Sequence, residues 1–281
     1  MKILVIHKST IEQIPPVLSA INILCDLSYN VVSISTGVTA SNVHLLKEKG
    51  VDVHVVKDYK GANRLKKLVS YYNFRKQVLT LIEEYAKKDD LLLWIEGAYT
   101  ILSLGTAIKK YKYILQISEL HEDYKYQLNA IKRVIHNAEL VFMPEYNRTI
   151  LYKIWFNLNS MPVVLPNKPY FYPCKEELEK LEARYAEQLA LFRNKKVILY
   201  QGQIASTRDL SNYVKAVKNL GEEYCTVLLG NDHNMVEKYK AIDKSLVHID
   251  FIPAPDYLIF TSMAYIGILT YNPSSLNNMY C

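Results

Sequence analysis

The second half of the chain carries a glycine and an arginine whose spacing could bind phosphate, within KVILYQGQIASTRDLSNYVKAV, residues 195–216. Gly202 follows an apolar β-branched run, and Arg208 precedes a segment of helical period that begins near Asp209. The first strand-to-helix turn of a nucleotide-binding fold commonly holds phosphate against backbone N–H groups and the helix dipole. Gly202 would let the backbone approach a diphosphate, and Arg208 would add charge-assisted hydrogen bonds. A plain turn with a solvated arginine fits the same spacing.

A second candidate is the histidine of SELHEDY, residues 118–124, which follows an apolar run directly. The imidazole of His121 can hydrogen-bond a sugar hydroxyl or stabilise developing charge, with Glu119 or Glu122 fixing its tautomer. A histidine satisfied within a loop is the alternative. Glu96 ends another apolar run, and its carboxylate is predicted to face the same edge of the sheet.

No metal or cofactor site is predicted. The other histidines lack metal-ligand spacing, the cysteines lie far apart without a CxxC pair, and no Ser-His-Asp order is present. The residues concerned are His7, His44, His54, His136, His233 and His248, with Cys25, Cys174, Cys225 and Cys281.

The elements that must position these residues alternate between short apolar strands and longer helical segments. Several strands are almost wholly apolar, as is typical of parallel strands buried on both faces. This alternation predicts doubly wound α/β architecture. The predicted strands are Lys2 to His7, Val31 to Thr36, Val51 to Lys57, Leu91 to Glu96, Tyr113 to Glu119 and Val141 to Pro144, then Val197 to Tyr200, Thr226 to Leu229, Val247 to Phe251 and Ile266 to Thr270.

A proline-rich stretch divides the two series of strands. It is followed by KEELEKLEARYAEQLALFRNKK, which reads as one charged helix, and we interpret both as the interdomain connection. The predicted organisation is a Rossmann-like domain over 1–165, a linker and charged helix over 166–195, and a second Rossmann-like domain over 196–281.

Composition indicates a globular protein with a mild preference for anionic partners. The chain has 281 residues, of which 50% are hydrophobic, and its formal charge is +6. This charge suits an anionic ligand or membrane surface, and no feature predicts nucleic-acid binding. The first apolar run is too short for a signal peptide or a membrane span. We therefore expect a cytoplasmic protein.

The second half resembles the donor-binding half of retaining glycosyltransferases of family 4, which have the two-domain GT-B architecture. The resemblance lies in VILYQGQIASTRDLSNYVKAVKNL, TVLLGND and VHIDFIPAPDYLIFTSMAYIGILTYNPSSLNNMY, in that order. In the first half, QISELHEDYKYQ and VVLPNKPY are also similar to the family.

The resemblance implies two Rossmann-like domains facing a cleft, with nucleotide-sugar bound to the second and acceptor to the first. It places Gly202, Arg208, Gly230 and Tyr271 on the donor side. His121 and Glu119 would be catalytic, and His7, Lys8 and Glu96 would lie on the acceptor side. Transfer would retain the anomeric configuration without a metal.

Two departures from the family pattern change the expectations. Gln203 stands where family members often have a basic residue, which leaves Arg208 as the diphosphate clamp. The family's acidic donor-binding motif would follow NPSSLNNMY, and the sequence reaches Cys281 first. We therefore expect an incomplete second domain and an inactive chain.

The function predicted from these patterns is sugar transfer from a nucleotide-diphosphate donor to a glycan or lipid-linked acceptor, in surface glycan biosynthesis. Two alternatives fit the same residues: a non-catalytic nucleotide-sugar or polyanion-binding protein, and a GT-B sugar-nucleotide epimerase.

The segment KDYKGANRLKKLVSYYNFRK, residues 57–76, is basic and rich in aromatic residues. On a helix, one apolar face would carry Leu65, Leu68, Val69 and Tyr72, and a basic, aromatic face would carry Lys67, Tyr71, Phe74 and Arg75. The second face suits an anionic headgroup region at the inner side of a membrane. A solvated charged helix is the alternative.

Overall fold

The structure is a computed structural model that describes residues 1–58, 63–170, 173–253 and 255–280. It divides into two compact units. Unit 1 comprises the described residues up to Tyr170 together with Tyr280, and unit 2 comprises those from 173 to 279. Each unit has its own parallel sheet with helices around it.

Unit 1 contains a parallel sheet of seven strands, in the order β3-β2-β1-β4-β5-β6-β7. The strand order reverses at β1, so the ends of β1 and β4 lie at the switch point where ligands of open α/β sheets bind. The strands are β1 Lys2–Thr10, β2 Asn30–Gly37, β3 Asp52–Val55, β4 Leu91–Glu96, β5 Lys112–Gln116, β6 Leu140–Met143 and β7 Val163–Val164.

Helices cover both faces of this sheet, which explains why the central strands are apolar throughout. Leu4 and Ile6 of β1 and Leu93 and Ile95 of β4 are completely buried. The helices are α1 Pro15–Asp26, α2 Ala40–Glu48, α3 Arg64–Ala86, α4 Ala98–Leu104, α5 Lys125–Lys132 and α6 Tyr146–Trp155.

Unit 2 contains four parallel strands in the order β10-β9-β8-β11. Its strands are β8 Lys196–Gln201, β9 Tyr224–Leu229, β10 Val247–Ile249 and β11 Ala264–Ile268. Its helices are α7 Lys175–Arg184, α8 Ala186–Ala190, α9 Ser211–Asn219, α10 Val236–Ile242, α11 Leu258–Ser262 and α12 Leu276–Met279.

All ten predicted strands are present, with β4 matching residue for residue. Four predicted strand ends lie two or three residues too late. The predicted ends are Lys57, Glu119, Phe251 and Thr270, and the strands end at Val55, Gln116, Ile249 and Ile268. Strand β7 was not predicted, since two residues are too short to show a period.

The prediction of one continuous charged helix is wrong. The helix ends at Arg184, Tyr185 has φ −108° and ψ 23°, and a new helix starts at Ala186. The Tyr185 hydroxyl donates to Asp256 Oδ2 at 2.8 Å, and its ring meets Phe260 edge-on at 5.6 Å. Leu181, Leu189 and Phe192 of this segment also join the core of unit 2, with Leu181 8% exposed.

The predicted outward face of the basic segment is also wrong. Phe74 is completely buried, because the buried positions of α3 recur every four residues, at Ser70, Phe74, Val78 and Ile82. The apolar face is exposed instead: Leu65, Leu68, Val69 and Tyr72 lie between 50% and 73% exposed. Tyr59 of the same segment falls outside the described residues.

Within the described residues, no helix combines the length and the apolar character needed to span a membrane.

Candidate functional site

In unit 2, the segments that follow β8 and β9 meet at two glycines, whose backbone atoms are in contact. Gly202 follows β8 with φ +147°, and Gly230 follows β9 with φ +144°, conformations that favour glycine. A Cβ atom on Gly230 would lie 2.0 Å from the carbonyl oxygen of Gly202, and backbone atoms cannot yield at that distance. His248 Nε2 lies 2.9 Å from the Gly230 oxygen and supports the same turn. Only glycine therefore fits at position 230.

Arg208 lies against this glycine turn, in a short 3₁₀ turn over Ser206–Arg208. Its guanidinium carbon stands 4.6 Å from the centre of the Tyr271 ring, and its Nη1 is 3.2 Å from the position that a Gly202 Cβ would take. Asn272, next to that ring, donates from its N–H to the Thr207 oxygen at 3.0 Å. The described residues include no ion-pair partner for Arg208. The four predicted donor-side residues thus meet around the Arg208 guanidinium.

The neighbouring helix terminus differs from the expectation for a phosphate loop. Helix α9 begins at Ser211, near Asp209 as predicted, but Asp209 changes the charge at its start. The Asp209 carboxylate already accepts hydrogen bonds from the Ser211 N–H at 2.9 Å and its hydroxyl at 2.6 Å. Chiefly because of the Ser211 hydroxyl, the pKa of Asp209 falls to about 2, so the group stays charged. An anionic side chain at the helix start disfavours a phosphate there.

The N–H of Gly202 is also occupied, since it donates to the carbonyl oxygen of Leu229 at 2.9 Å. A diphosphate at this turn would therefore have to bind other groups than the Gly202 N–H. The positive charge available at this loop comes from the side chain of Arg208.

In unit 1, His7 of β1 and Glu96 at the end of β4 form a buried contact between an imidazole and a carboxylate. His7 and Glu96 stand directly opposite each other in the parallel register. Nδ1 of His7 lies within ion-pair distance of Glu96 Oε2, and the Ser118 hydroxyl donates to Glu96 Oε1 at 3.4 Å. His7 is 6% exposed and Glu96 3% exposed, so both predicted acceptor-side residues lie beneath the surface. His7 Nε2 is buried without a hydrogen-bond partner among the described residues.

Lys8, the third predicted acceptor-side residue, is fully engaged inside unit 1. Its ammonium donates to Asp58 at 3.0 Å and to the Ser70 hydroxyl at 2.7 Å. It also lies 5.4 Å from the ring centres of both Tyr71 and Phe74. These contacts connect helix α3 to β1. The role of the Lys8 ammonium in this structure is therefore structural.

His121 stands in the loop after β5, half-buried and with φ +60°. Burial lowers the pKa of its imidazole, and this effect outweighs Glu119, the Gln127 side-chain hydrogen bond, Glu122 and Glu96, which all raise it. The imidazole is therefore neutral near pH 7. In that state one ring nitrogen donates and the other accepts, which suits a sugar hydroxyl.

Two residues of helix α6, Tyr152 and Arg148, hold the loop that carries His121 in place. Neither was identified as functional from the sequence. Tyr152 donates from its hydroxyl to the Glu119 oxygen at 3.2 Å. Arg148 is buried, contacts the Ser118 oxygen and lies 3.6 Å from Glu119 Oε2. The Arg148 Nε also donates to the Tyr280 oxygen at 2.9 Å. Glu119 is thereby fixed in position beside the histidine loop.

Among the described residues, no group of three or more His, Cys, Asp or Glu side chains is placed to hold a metal ion.

Comparison with known proteins gives a match at the level of structure. No protein-family model matches the sequence, and no curated protein does. The structure of Anabaena HepE with UDP-glucose aligns with a TM-score of 0.67 at 13% identity, over 98% of this chain and 76% of that one. The chain has the GT-B fold.

Two further GT-B structures align over nearly the whole chain. Sucrose-phosphate synthase from Thermosynechococcus elongatus has a TM-score of 0.63 at 13% identity, over 98% of this chain and 77% of that one. A glycosyltransferase from Rickettsia africae has a TM-score of 0.63 at 15% identity, over 96% and 73%. The predicted α/β architecture of two Rossmann-like domains is confirmed, and membership of family 4 stays a prediction.

Proposed function

We propose that the protein is an active glycosyltransferase, contrary to the sequence-based expectation of an inactive chain, and that it moves a sugar from a nucleoside-diphosphate donor to an acceptor. The observation that carries this proposal is the guanidinium of Arg208, which lies over the Tyr271 ring beside the Gly202 turn and has no ion-pair partner in the described part of the chain. It is supported by the GT-B fold and by the solved structures of HepE, which contain UDP and UDP-glucose. A nucleoside diphosphate offers both the negative charge and the flat base that such a loop can bind.

In this proposal, Arg208 neutralises the charge that develops when the bond between the sugar and the diphosphate breaks. The bonding electrons leave with the diphosphate, and the acceptor hydroxyl passes its proton to the departing diphosphate oxygen as its own oxygen bonds the sugar carbon. His121 and Glu119 line the transfer site of unit 1, with the neutral imidazole hydrogen-bonding a sugar hydroxyl. The acceptor side is stabilised by buried residues that need not touch the acceptor, namely His7, Lys8 and Glu96. Transfer proceeds with retention and without a metal, and the acceptor is a surface glycan or its lipid-linked precursor.

Arg208→Ala is expected to weaken UDP binding about ten- to a hundredfold, since a hydrogen bond to a charged group contributes about 1.5–3 kcal/mol. Titration calorimetry with UDP measures the change directly. Arg193→Ala is the matched control, because Arg193 is an exposed arginine of the same unit, and it should leave the affinity unchanged. Equal affinity in Arg208→Ala and the parent protein would remove Arg208 from the donor site. UDP binding without sugar transfer would instead favour the non-catalytic alternative.

We also propose that the protein is cytoplasmic and associates with the inner face of the membrane through the start of helix α3. There the exposed apolar side chains of Leu65, Leu68, Val69 and Tyr72 stand beside the exposed Lys66 and Lys67. Apolar side chains next to lysines suit an anionic leaflet, in which each basic residue contributes about 1 kcal/mol.

Leu65→Gln with Leu68→Gln is expected to reduce sedimentation of the protein with vesicles of phosphatidylglycerol and phosphatidylcholine severalfold. Added salt should weaken the parent's binding as well, because headgroup attraction is screened. Leu191→Gln serves as the control, since Leu191 is a comparably exposed leucine of unit 2, at 61%. Equal sedimentation with anionic and purely neutral vesicles would contradict the proposal.

A further inference from the structure

A groove of about 540 Å³ lies between the end of β3 and helix α3 in unit 1. Its volume falls within the range of about 300–1,000 Å³ that is usual for small-ligand sites. None of the donor-side residues, nor His121, lines it. The lining residues are His54, Val55, Val56, Lys57, Asn73, Lys76, Gln77, Thr80 and Leu81.

The groove has an uncompensated positive charge. Lys57 and Lys76 are exposed, and neither has an ion-pair partner among the described residues. No carboxylate is among the lining residues of the groove as described. The two acids nearest in sequence to β3's end are engaged elsewhere, since Asp58 accepts from Lys8 and Asp52 accepts from the Tyr85 hydroxyl. The Asp52 carboxylate also lies 3.4 Å from Nε2 of His54, which lines the groove, so the nearest described opposing charge is already paired. An anion in this groove would meet Lys57 and Lys76 on the lining itself.

The walls of the groove combine polar and apolar side chains, and hydrogen bonds hold part of them in place. Gln77 accepts from the Lys57 N–H at 3.0 Å and donates to the Lys57 oxygen at 2.9 Å, which joins the segment after β3 to the helix. Amide and hydroxyl groups of Asn73 and Thr80 stand beside apolar Val55 and Leu81. Saccharides present hydroxyls and apolar C–H faces together, so this mixture fits a sugar better than an acyl chain.

We propose that this groove binds an anionic saccharide, whose carboxylate or phosphate groups meet Lys57 and Lys76. The inference rests on the proposed sugar transfer, for which the groove would hold an acidic part of the glycan acceptor. It assigns the acceptor a chemical class, an acidic glycan.

The test uses the full chain with tetragalacturonic acid as the acidic probe and maltotetraose as the neutral one, by titration calorimetry at low salt. The acidic probe is expected to bind at least about tenfold more tightly than the neutral one. Lys57→Gln with Lys76→Gln should lower its affinity at least about tenfold. Lys87→Gln with Lys88→Gln removes the same charge from exposed lysines just beyond the same helix and should leave affinity unchanged. UDP affinity should be equal in all of these proteins.

Equal binding of the two probes, or acidic binding that survives the Lys57 and Lys76 changes, would overturn the inference. So would anionic vesicle binding that requires these two lysines while the acidic probe does not bind, because the groove would then serve lipid phosphate. In each case intact UDP binding would leave the proposed donor site standing. Loss of UDP binding in Arg208→Ala, with the acidic saccharide still bound, would bear on the proposed donor site alone.

Discussion

Replacing His7 by alanine is expected to lower the free energy of unfolding of unit 1 by about 3–5 kcal/mol. The Glu96 carboxylate would remain buried at 3% exposure without the imidazole beside it, and its described side-chain contact would be the Ser118 hydroxyl at 3.4 Å. A loss of this size is a large part of the stability of a whole domain. Adding Glu96→Gln to His7→Ala should recover part of it, because the charge that lost its partner is then absent.

Tryptophan fluorescence during urea unfolding measures this effect in unit 1 alone, since the chain has 2 tryptophans and both Trp94 and Trp155 lie in that unit. The control is His44→Ala. The side chain of His44 is 74% exposed and pairs with Glu48 at 3.4 Å, so its removal should cost less than about 1 kcal/mol. If His7→Ala lowered the free energy of unfolding no more than His44→Ala does, the contact between His7 and Glu96 would not stabilise unit 1.

His121→Asn is expected to lower the rate of UDP release from UDP-glucose by about 10²-fold or more, the scale of one acid-base or electrostatic group. Asparagine is chosen because His121 has φ +60°, which asparagine adopts more easily than alanine does. The substitution therefore removes the imidazole with little change to the backbone. The rate of the parent protein should also fall in acid, where the imidazole becomes charged.

His136→Asn provides the matched control, because His136 is an exposed histidine of the same unit. It should release UDP at the parent rate. A folded His121→Asn protein with near-normal turnover would show that His121 only shapes its loop.

The strands could be predicted from the sequence because each is a short apolar run between polar segments. Helix breaks and helix orientation could not be predicted in this way. The chain stops being helical at Tyr185 because the hydroxyl of Tyr185 bonds Asp256, a residue distant in sequence. Likewise, helix α3 turns Phe74 inward because Lys8 and the core of unit 1 lie on that side.

The candidate donor loop was partly visible in the sequence. Gly202, Arg208 and Gly230 could be singled out because they follow strand ends, which meet at one edge of a parallel sheet. The role of Asp209 in occupying the helix start was not predicted. The support that Arg148 gives to the histidine loop was also missed, because a buried arginine looks the same in sequence as a solvated one.

The hydrogen bond from the Ser211 N–H to Asp209, at the start of helix α9, has a consequence for how mutations would act on the donor site. Phosphate sites built on backbone N–H groups tolerate most changes of side chain, because every residue type except proline supplies the same group. Here the Ser211 N–H is taken by Asp209, and the charge stands on Arg208. Under the proposed function, the charge that binds the diphosphate comes from one side chain. A single missense change at Arg208 would therefore weaken nucleotide binding and leave the fold intact.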